Sequence, residues 1–563
     1  NFPQIYRTVR EIVQQLKQEP VGKKEITAYK IKTKYMLATQ KMAICDFGEK
    51  LIYYIMQGGW KYRLVEEPAI KEKLTAEDIR RVAGKYLDFD RCFVEYRLPA
   101  AKKAASPRGE IESETNHFGT ADYFEHSSAV QKTTEPNPPA FTLSQQLKKT
   151  VLPSGIQVYQ LKNPSSGLWG FRGFWKTGNV VENDSVPGVG KMLAALLRGD
   201  TRKHRENELK RTLQFYQVRQ GFGGGNLDFM TYGESLPEYA DTLLTVFRER
   251  ISYPLFSTEK IQKYAERAQE SEKNWRKNQK AVANEAILKL LFPGHPYSRE
   301  YQSKAETLGQ VKPALLEAMW RKYFRAENLT LLIYGSLDSL SNIRLVEKYF
   351  DKLPGTRPSP AEYFPVPIAP PVPAGKRLNL PNPGAKVAEI RLGFSGPVLS
   401  HPDALAFRLV GDMLARGSVT SYLGKVLRNQ MGLTYYIGLN REGGPRPFGG
   451  SLIIQSQVAN ENVPKFLATA CSLLQQFPDD LTPHQWEDTR HRLHLSYLKK
   501  WDNFENVAEQ VFATLRNGQS PLILDDYIQQ LNRITFKDIQ RVARKYIDPA
   551  RMIVLIYGSY SDD

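Results

Sequence analysis

Glu487, His491 and His494 are spaced i, i+4 and i+7, so a helix would carry all three on one side. One carboxylate and two imidazoles can bind a divalent metal such as zinc. These three stand in a run of Arg and Lys with no fourth ligand in view, and read as a solvated helix face. The glycine run Gly221 to Gly225 lacks the Gly-Lys-Ser/Thr that a phosphate loop needs, and Asn226 to Asp228 after it reads as a hairpin return. Cys45, Cys92 and Cys471 are odd in number and far apart, which rules out a disulfide framework and a thiolate zinc cluster. No Ser-His-Asp or Cys-His set is suggested locally, although such sets need not be local in sequence.

The frame around these residues is that of a globular protein. The 563 residues allow three or four domains, and 41% hydrophobic with 25% charged residues is ordinary. No apolar run approaches the ~18–20 residues of a membrane span. A formal charge of +18 raises nucleic-acid binding as a possibility. Lys and Arg alternate with Asp and Glu along helices, as in Glu259 to Lys280, and no recognition motif or aromatic platform accompanies them. The surface is therefore read as basic and solvated, favouring acidic partners over nucleic acid.

The chain repeats itself. LTAEDIRRVAGKYLDFDR from Leu74 and ITFKDIQRVARKYIDPAR from Ile534 pair Thr75 with Thr535, Asp78 with Asp538, Tyr86 with Tyr546 and Arg91 with Arg551, each 460 positions apart. A weaker middle copy, RKYFRAENLTLLIYGS from Arg321, shares LIYGS with Leu555 to Ser559. Repeats this long are domains, since solenoid units run at ~20–50 residues. Two complete modules and the tail of a third follow.

At that offset Asn1 falls opposite Glu461, so nothing in the first module matches Lys376 to Asn460. Residues 1–97 are mostly helical in pattern, with one strand-like run from Cys92 to Tyr96. Their apolar stripes have no sheet of their own, and an unpartnered helix is marginal in water. The expectation is that they belong to the end of a second domain whose strands lie elsewhere, in a longer polypeptide or a partner. Residues 98–147 read as a linker; 148–356 as a third domain; 357–375, within a stretch from Pro354 that holds eight prolines, as a stiff connector; and 376–563 as a fourth domain. Strands interleaved with long helices imply an α+β fold of repeated modules, each a mixed sheet with helices on one face.

Trp175 to Thr201, WKTGNVVENDSVPGVGKMLAALLRGDT, resembles the front of a module in the pitrilysin/insulinase family of zinc peptidases. There a strand and a Glu lead into G-x-x-H-x-x-E-H, whose two His face one way on a helix while the Glu activates water at zinc. LLFPGHPYSR from Leu290 and NLTLLIYGSLD from Asn328 carry the same resemblance. Here Lys191 and Ala195 stand at the His positions and Ala194 at the Glu, and Glu272 best matches the distal ligand carboxylate. Outside that role Glu272 is expected on a helix surface. A protonated Lys repels a dication and Ala offers no ligand, so no metal is expected on this chain.

In the same family the silent rear half lends an Arg and a Tyr, seven residues apart, to the zinc site of the front half. Arg428 and Tyr435 in LRNQMGLTYYI match that pattern, with Tyr436 as an adjacent competitor. A phenol can stabilise a developing oxyanion and an Arg can hold a peptide carbonyl or carboxylate. The resemblance implies half of a two-half clamshell chamber in a metalloendopeptidase, inactive alone. Zinc would come from an N-terminal half of the same precursor or a homologous partner subunit, the substrate would be a peptide, and the location bacterial periplasmic or extracytoplasmic. The alternative is a structural or peptide-binding relative, like the core subunits of respiratory complexes.

Overall fold

The computed structural model describes residues 2–40, 51–56, 59, 61–62, 66–95, 142–163, 166–178, 182, 186–225, 227–295, 298, 305–351, 353, 375–442, 449–501 and 504–560. The chain divides into two units, residues 1–34 with 50–139, and residues 35–49 with 140–563. No described helix is long and apolar enough to cross a membrane.

The first unit is helical. Helix α1 (Phe2–Gln18) buries no residue and leaves Ile5, Val9 and Ile12 exposed. It is followed by α2 (Lys23–Gln40, whose end belongs to the second unit), α3 (Glu67–Lys73) and α4 (Ala76–Tyr86). Tyr6 of α1 meets Phe89 edge-on, 5.8 Å between ring centres. The strand expected from Cys92 is not formed: residues 92–95 lie in no strand and Phe93 is 98% exposed. A lone extended run leaves its N–H and C=O groups to water, and only a neighbouring strand would fix it. Tyr96 lies outside the described residues.

The second unit holds two sheets of one design. The first contains β1 (Leu147–Val151), β2 (Gln157–Lys162), β3 (Trp169–Trp175), β4 (Arg219–Gly224), β5 (Phe229–Ser235) and β6 (Leu329–Gly335), in the order β1-β2-β6-β3-β5-β4. The second contains β7 (Arg377–Pro381), β8 (Val387–Val398), β9 (Thr434–Glu442), β10 (Gly449–Ala459) and β11 (Ile553–Gly558), in the order β7-β11-β8-β10-β9. Set β1 aside and the orders coincide. The parallel pairs coincide too, β2 with β6 and β7 with β11. The hairpin return after Gly225 is present: β4 pairs antiparallel with β5 from Gly224 opposite Phe229. At the linker boundary, a single turn, Leu143–Gln146, and β1 from Leu147 are already ordered inside the last residues assigned to it, while 96–141 lie outside the described residues.

The helices of the first module are α5 (Val189–Leu196), α6 (Glu206–Phe215), α7 (Ala240–Ser252), α8 (Thr258–Arg276), α9 (Gln279–Leu291), α10 (Pro313–Tyr323) and α11 (Ser339–Tyr349). Those of the second are α12 (Ala404–Ala415), α13 (Val463–Asp480), α14 (Pro483–Trp501), α15 (Phe504–Arg516), α16 (Tyr527–Arg533) and α17 (Phe536–Tyr546). Within each module most of them share one sheet face. Phe171, Trp175, Leu331 and Ile333 of the first sheet meet Leu193, Leu243, Phe247 and Leu316.

The opposite face is not bare. Phe174, Leu332 and Tyr334 pack against Val507, Val511 and Phe512 of α15, a helix of the second module. In return Ile453, Ile553 and Leu555 of the second sheet pack against Ala283, Ile287 and Leu291 of α9, a helix of the first. The expected one-faced cover is thus completed by an exchange of helices. It explains why all seven residues of β6 are buried, a pattern that only a strand covered on both faces can carry. Each Leu or Ile so buried is worth ~1.5–3 kcal/mol.

Candidate active-site contribution of the chain

Helix α5 carries the positions that resemble a metal motif. Its N-terminus is taken by Glu182, which accepts from the N–H of Gly188 at 2.8 Å and of Gly190 at 2.7 Å. Gly188 itself sits at φ +90, a conformation that favours glycine. Lys191 is half-buried and Ala194 buried. Burial pulls the Lys191 ammonium below its ordinary value, and the charges of Glu182 and Glu285 act against that. Glu272, expected at a helix surface, is instead buried on α8, where Arg276 donates to its Oε1 from Nε at 2.9 Å and from Nη2 at 2.5 Å. Its helix turns that side inward with Ile261 and Ala265. An ammonium, two methyl groups and a carboxylate already held by an arginine do not fit a catalytic zinc.

The helical trio fares no better. Glu487 accepts from Arg490 Nε at 3.0 Å and Nη2 at 2.7 Å. Among the described residues no group of three His, Cys, Asp or Glu is placed to hold a metal ion.

Arg428 and Tyr435 are brought together. Arg428 lies on a π-helical segment, Gly424–Gln430, which Leu427 anchors in the core, and Tyr435 is the second residue of β9. The turn between them closes by donation from Leu433 N to Leu427 O at 2.9 Å, and Gly432 takes φ +61. The guanidinium carbon of Arg428 then stands 4.9 Å from the centre of the Tyr435 ring. Such a cation–π contact holds both side chains without using the phenol. Tyr435 is 85% exposed, and its hydroxyl has no hydrogen-bond partner among the described residues. The pair therefore offers solvent a phenolic O–H and guanidinium N–H donors from one short turn.

Tyr436 is used differently. Its hydroxyl accepts from Gln455 Nε2 at 3.0 Å, and Lys280 Nζ of α9 lies 5.2 Å from its ring centre. Beneath it Arg391, fully buried, donates from Nη1 to Glu389 at 2.8 Å, from Nε to Asn284 at 2.8 Å and from Nη2 to the Lys280 carbonyl at 3.3 Å. The alternation Glu389-Ile-Arg391, with polar side chains on an otherwise apolar strand, is the sequence signal for this network.

Residues 310–493 match the family described as the peptidase M16 inactive domain. This stretch is similar to M16 inactive domains. Its match takes in Arg428 and Tyr435 and begins beyond Lys191 and Glu272. Over 199 residues, 34% of this chain, the sequence is 24% identical to the probable zinc protease PqqL of Escherichia coli strain K12, and covers 21% of that protein. The chain thus spans about a fifth of the curated relative it matches. Among solved structures, an M16 inactive domain from Pseudomonas fluorescens is similar at TM-score 0.66 and 16% identity, covering 74% of this chain and 98% of that one. A protease from Helicobacter pylori gives 0.64 and 16%, covering 73% and 99%. The periplasmic protease PqqL of E. coli gives 0.63 and 12%, covering 88% of this chain and 52% of that one. At these identities the structural likeness shows the fold alone.

Proposed function

We propose that this chain is the zinc-less rear half of an M16 metalloendopeptidase, enclosing peptides in a two-half chamber and lending Arg428 and Tyr435 to an active site completed elsewhere. The observation that carries the reading is Tyr435 itself. A large aromatic fixed at the start of a strand, 85% exposed and backed by an arginine, serves no packing purpose. The domains assigned as 148–356 and 376–563 supply the wall, and residues 1–97 the end of the preceding domain. The zinc would be supplied by an N-terminal part of the same precursor or a partner subunit, where it would polarise the scissile carbonyl. This chain's share is to donate a hydrogen bond from the Tyr435 phenol as negative charge develops on that oxygen, and to hold the peptide through Arg428. A periplasmic or other extracytoplasmic location in bacteria is supported by the likeness to periplasmic PqqL.

The test is peptide turnover by the assembled enzyme. Tyr435→Phe should lower kcat by ~10²-fold, the loss expected for one preorganised donor. Arg428→Ala should raise KM at least as much as it lowers kcat, since holding the peptide is partly ground-state binding. No change from either in a demonstrably active complex would leave the structural or peptide-binding reading standing.

A further inference from the structure

Four cations from three elements of the second module lie near one another, and two of them, Arg416 and Arg441, share one carboxylate. Arg408, Asp412 and Arg416 are spaced i, i+4 and i+8 along and just past α12, so they line one side of that helix. Asp412 is buried, and Arg416 Nη1 donates to it at 3.4 Å. From β9, Arg441 Nη2 donates to the same carboxylate and, at 3.4 Å, to the carbonyl of Arg408. Lys500 comes from α14, which packs on α12. Among the described residues neither Lys500 nor the Arg408 guanidinium has an acidic partner, and the buried Nε of Arg441 has no acceptor.

The sum is four positive charges against one negative. Burial lowers Lys500 from its ordinary value, with Arg408 and Arg416 lowering it further. Burial likewise takes Arg441 down to about 10, with Arg408 adding to the fall. A half-buried ammonium beside two guanidinium groups is unfavourable for folding alone, since like charges in a partly desolvated place repel. An anion of charge about −2 or more would relieve it.

We propose that this cluster is a subsite for an acidic segment of the bound peptide. The inference rests on the peptidase reading above, and names the kind of peptide it takes. Arg441 and Tyr435 are six residues apart on β9, whose register against β10 shifts between Thr434 and Ile437, so up to ~20 Å of strand separates the anchor from the exposed phenol. A peptide held by its carboxylates at one end would reach Tyr435 about six residues further on. The +18 charge of the chain draws the same ligands in.

Binding tests this without any need for turnover. A labelled octapeptide with four glutamates is titrated onto the full chain at low salt, followed by anisotropy, beside its glutamine counterpart. The acidic peptide should bind at least tenfold more tightly. Lys500→Met and Arg408→Ala should each weaken it about three- to fivefold and together about tenfold or more, with Lys537→Met, on the exposed side of α17, as the unchanged control. Arg441 is left alone because its loss would strand buried Asp412. Equal binding of the two peptides, or an acidic peptide indifferent to Lys500 and Arg408, overturns the proposal. So does inorganic pyrophosphate that binds through Lys500 while the peptide does not, which would make this a small-anion site. This assay reads binding and the Tyr435→Phe test reads turnover, so a failure of the oxyanion reading is told apart from a failure here.

Discussion

Arg516, the last residue of α15, grips Asp228 with two hydrogen bonds, Nε to Oδ2 at 2.7 Å and Nη2 to Oδ1 at 2.8 Å. The two lie 288 residues apart and belong to different modules. The bond pins the β4–β5 hairpin of one module to the helix lent by the other. Asp228 is buried, so removing its partner leaves a carboxylate without its counter-ion. Arg516→Ala should cost the intact chain about 2–3 kcal/mol, at the low end for a buried pair because Arg516 keeps some contact with water. The double variant with Asp228→Asn should recover part of that loss. Chemical denaturation of the three chains checks it, and an additive double variant would show that the pair contributes no coupling.

Arg391 makes the stronger case. It is fully buried and bonded to Glu389, Asn284 and the Lys280 carbonyl, so it ties β8 to α9. In Arg391→Met, Glu389 would keep only the N–H of Gln457, at 2.6 Å, among the described residues. A loss of about 3–5 kcal/mol is expected. Adding Glu389→Leu should restore much of it, because two apolar groups ask nothing of their surroundings. Denaturation midpoints of single and double variants measure this directly.

Part of this organisation was legible in the chain. The repeat that pairs Thr75 with Thr535 and Asp78 with Asp538 becomes the same capping box twice: Asp78 N donates to Thr75 Oγ1 and Asp538 N to Thr535 Oγ1, each at 3.2 Å. Local chemistry of that kind needs no tertiary partner to be read. The exchange of α9 and α15 was not legible, because an apolar stripe such as Ala283, Ile287 and Leu291 states that a helix is covered but not by what. Glu272 shows the same limit, since its charge suggests a surface and the packing of α8 turns it inward. Arg428 and Tyr435 are singled out in the sequence by the family resemblance, and one turn brings the two side chains together. Arg408, Arg441 and Lys500 come from three elements, and no spacing in the sequence joins them.

Asp403 sets an acid limit. Arg541 Nη2 donates to its Oδ1 at 2.8 Å and Lys545 Nζ to its Oδ2 at 3.0 Å. Arg541 first, then Lys545, hold this carboxyl well below the usual carboxylate range. A folded value below the unfolded one means stability that is complete above about pH 4 and is lost as the pH falls through the folded value. Asp403→Asn removes that contribution. The wild-type thermal midpoint should therefore fall more steeply between neutral pH and about pH 2–3 than that of the variant. Parallel curves would mean that the interaction does not favour the folded state.

Metal analysis bears on α5. With Lys191, Ala194 and Ala195 at the motif positions and Glu272 held by Arg276, the purified chain should carry far less than one zinc per molecule. About one tightly bound zinc per chain would contradict the reading of this module as degenerate.

Tyr435 and Tyr436 adjoin in sequence and should separate cleanly in their effects. Tyr436 accepts a hydrogen bond from Gln455 and lies under Lys280, so Tyr436→Phe removes a partner from a buried amide. That should cost about 1 kcal/mol of stability and leave turnover of the assembled enzyme nearly unchanged. Tyr435→Phe keeps the ring that Arg428 covers and removes only a hydroxyl that faces water. Its stability should change by a few tenths of a kcal/mol at most, as for surface substitutions, while kcat falls by ~10²-fold. The crossed pattern is the diagnostic. Measured on the same preparations, an equal fall in turnover from both tyrosines would point to a local distortion of β9 rather than to a donated hydrogen bond. Stability lost at Tyr435 and turnover kept would assign that residue to the fold and not to the reaction.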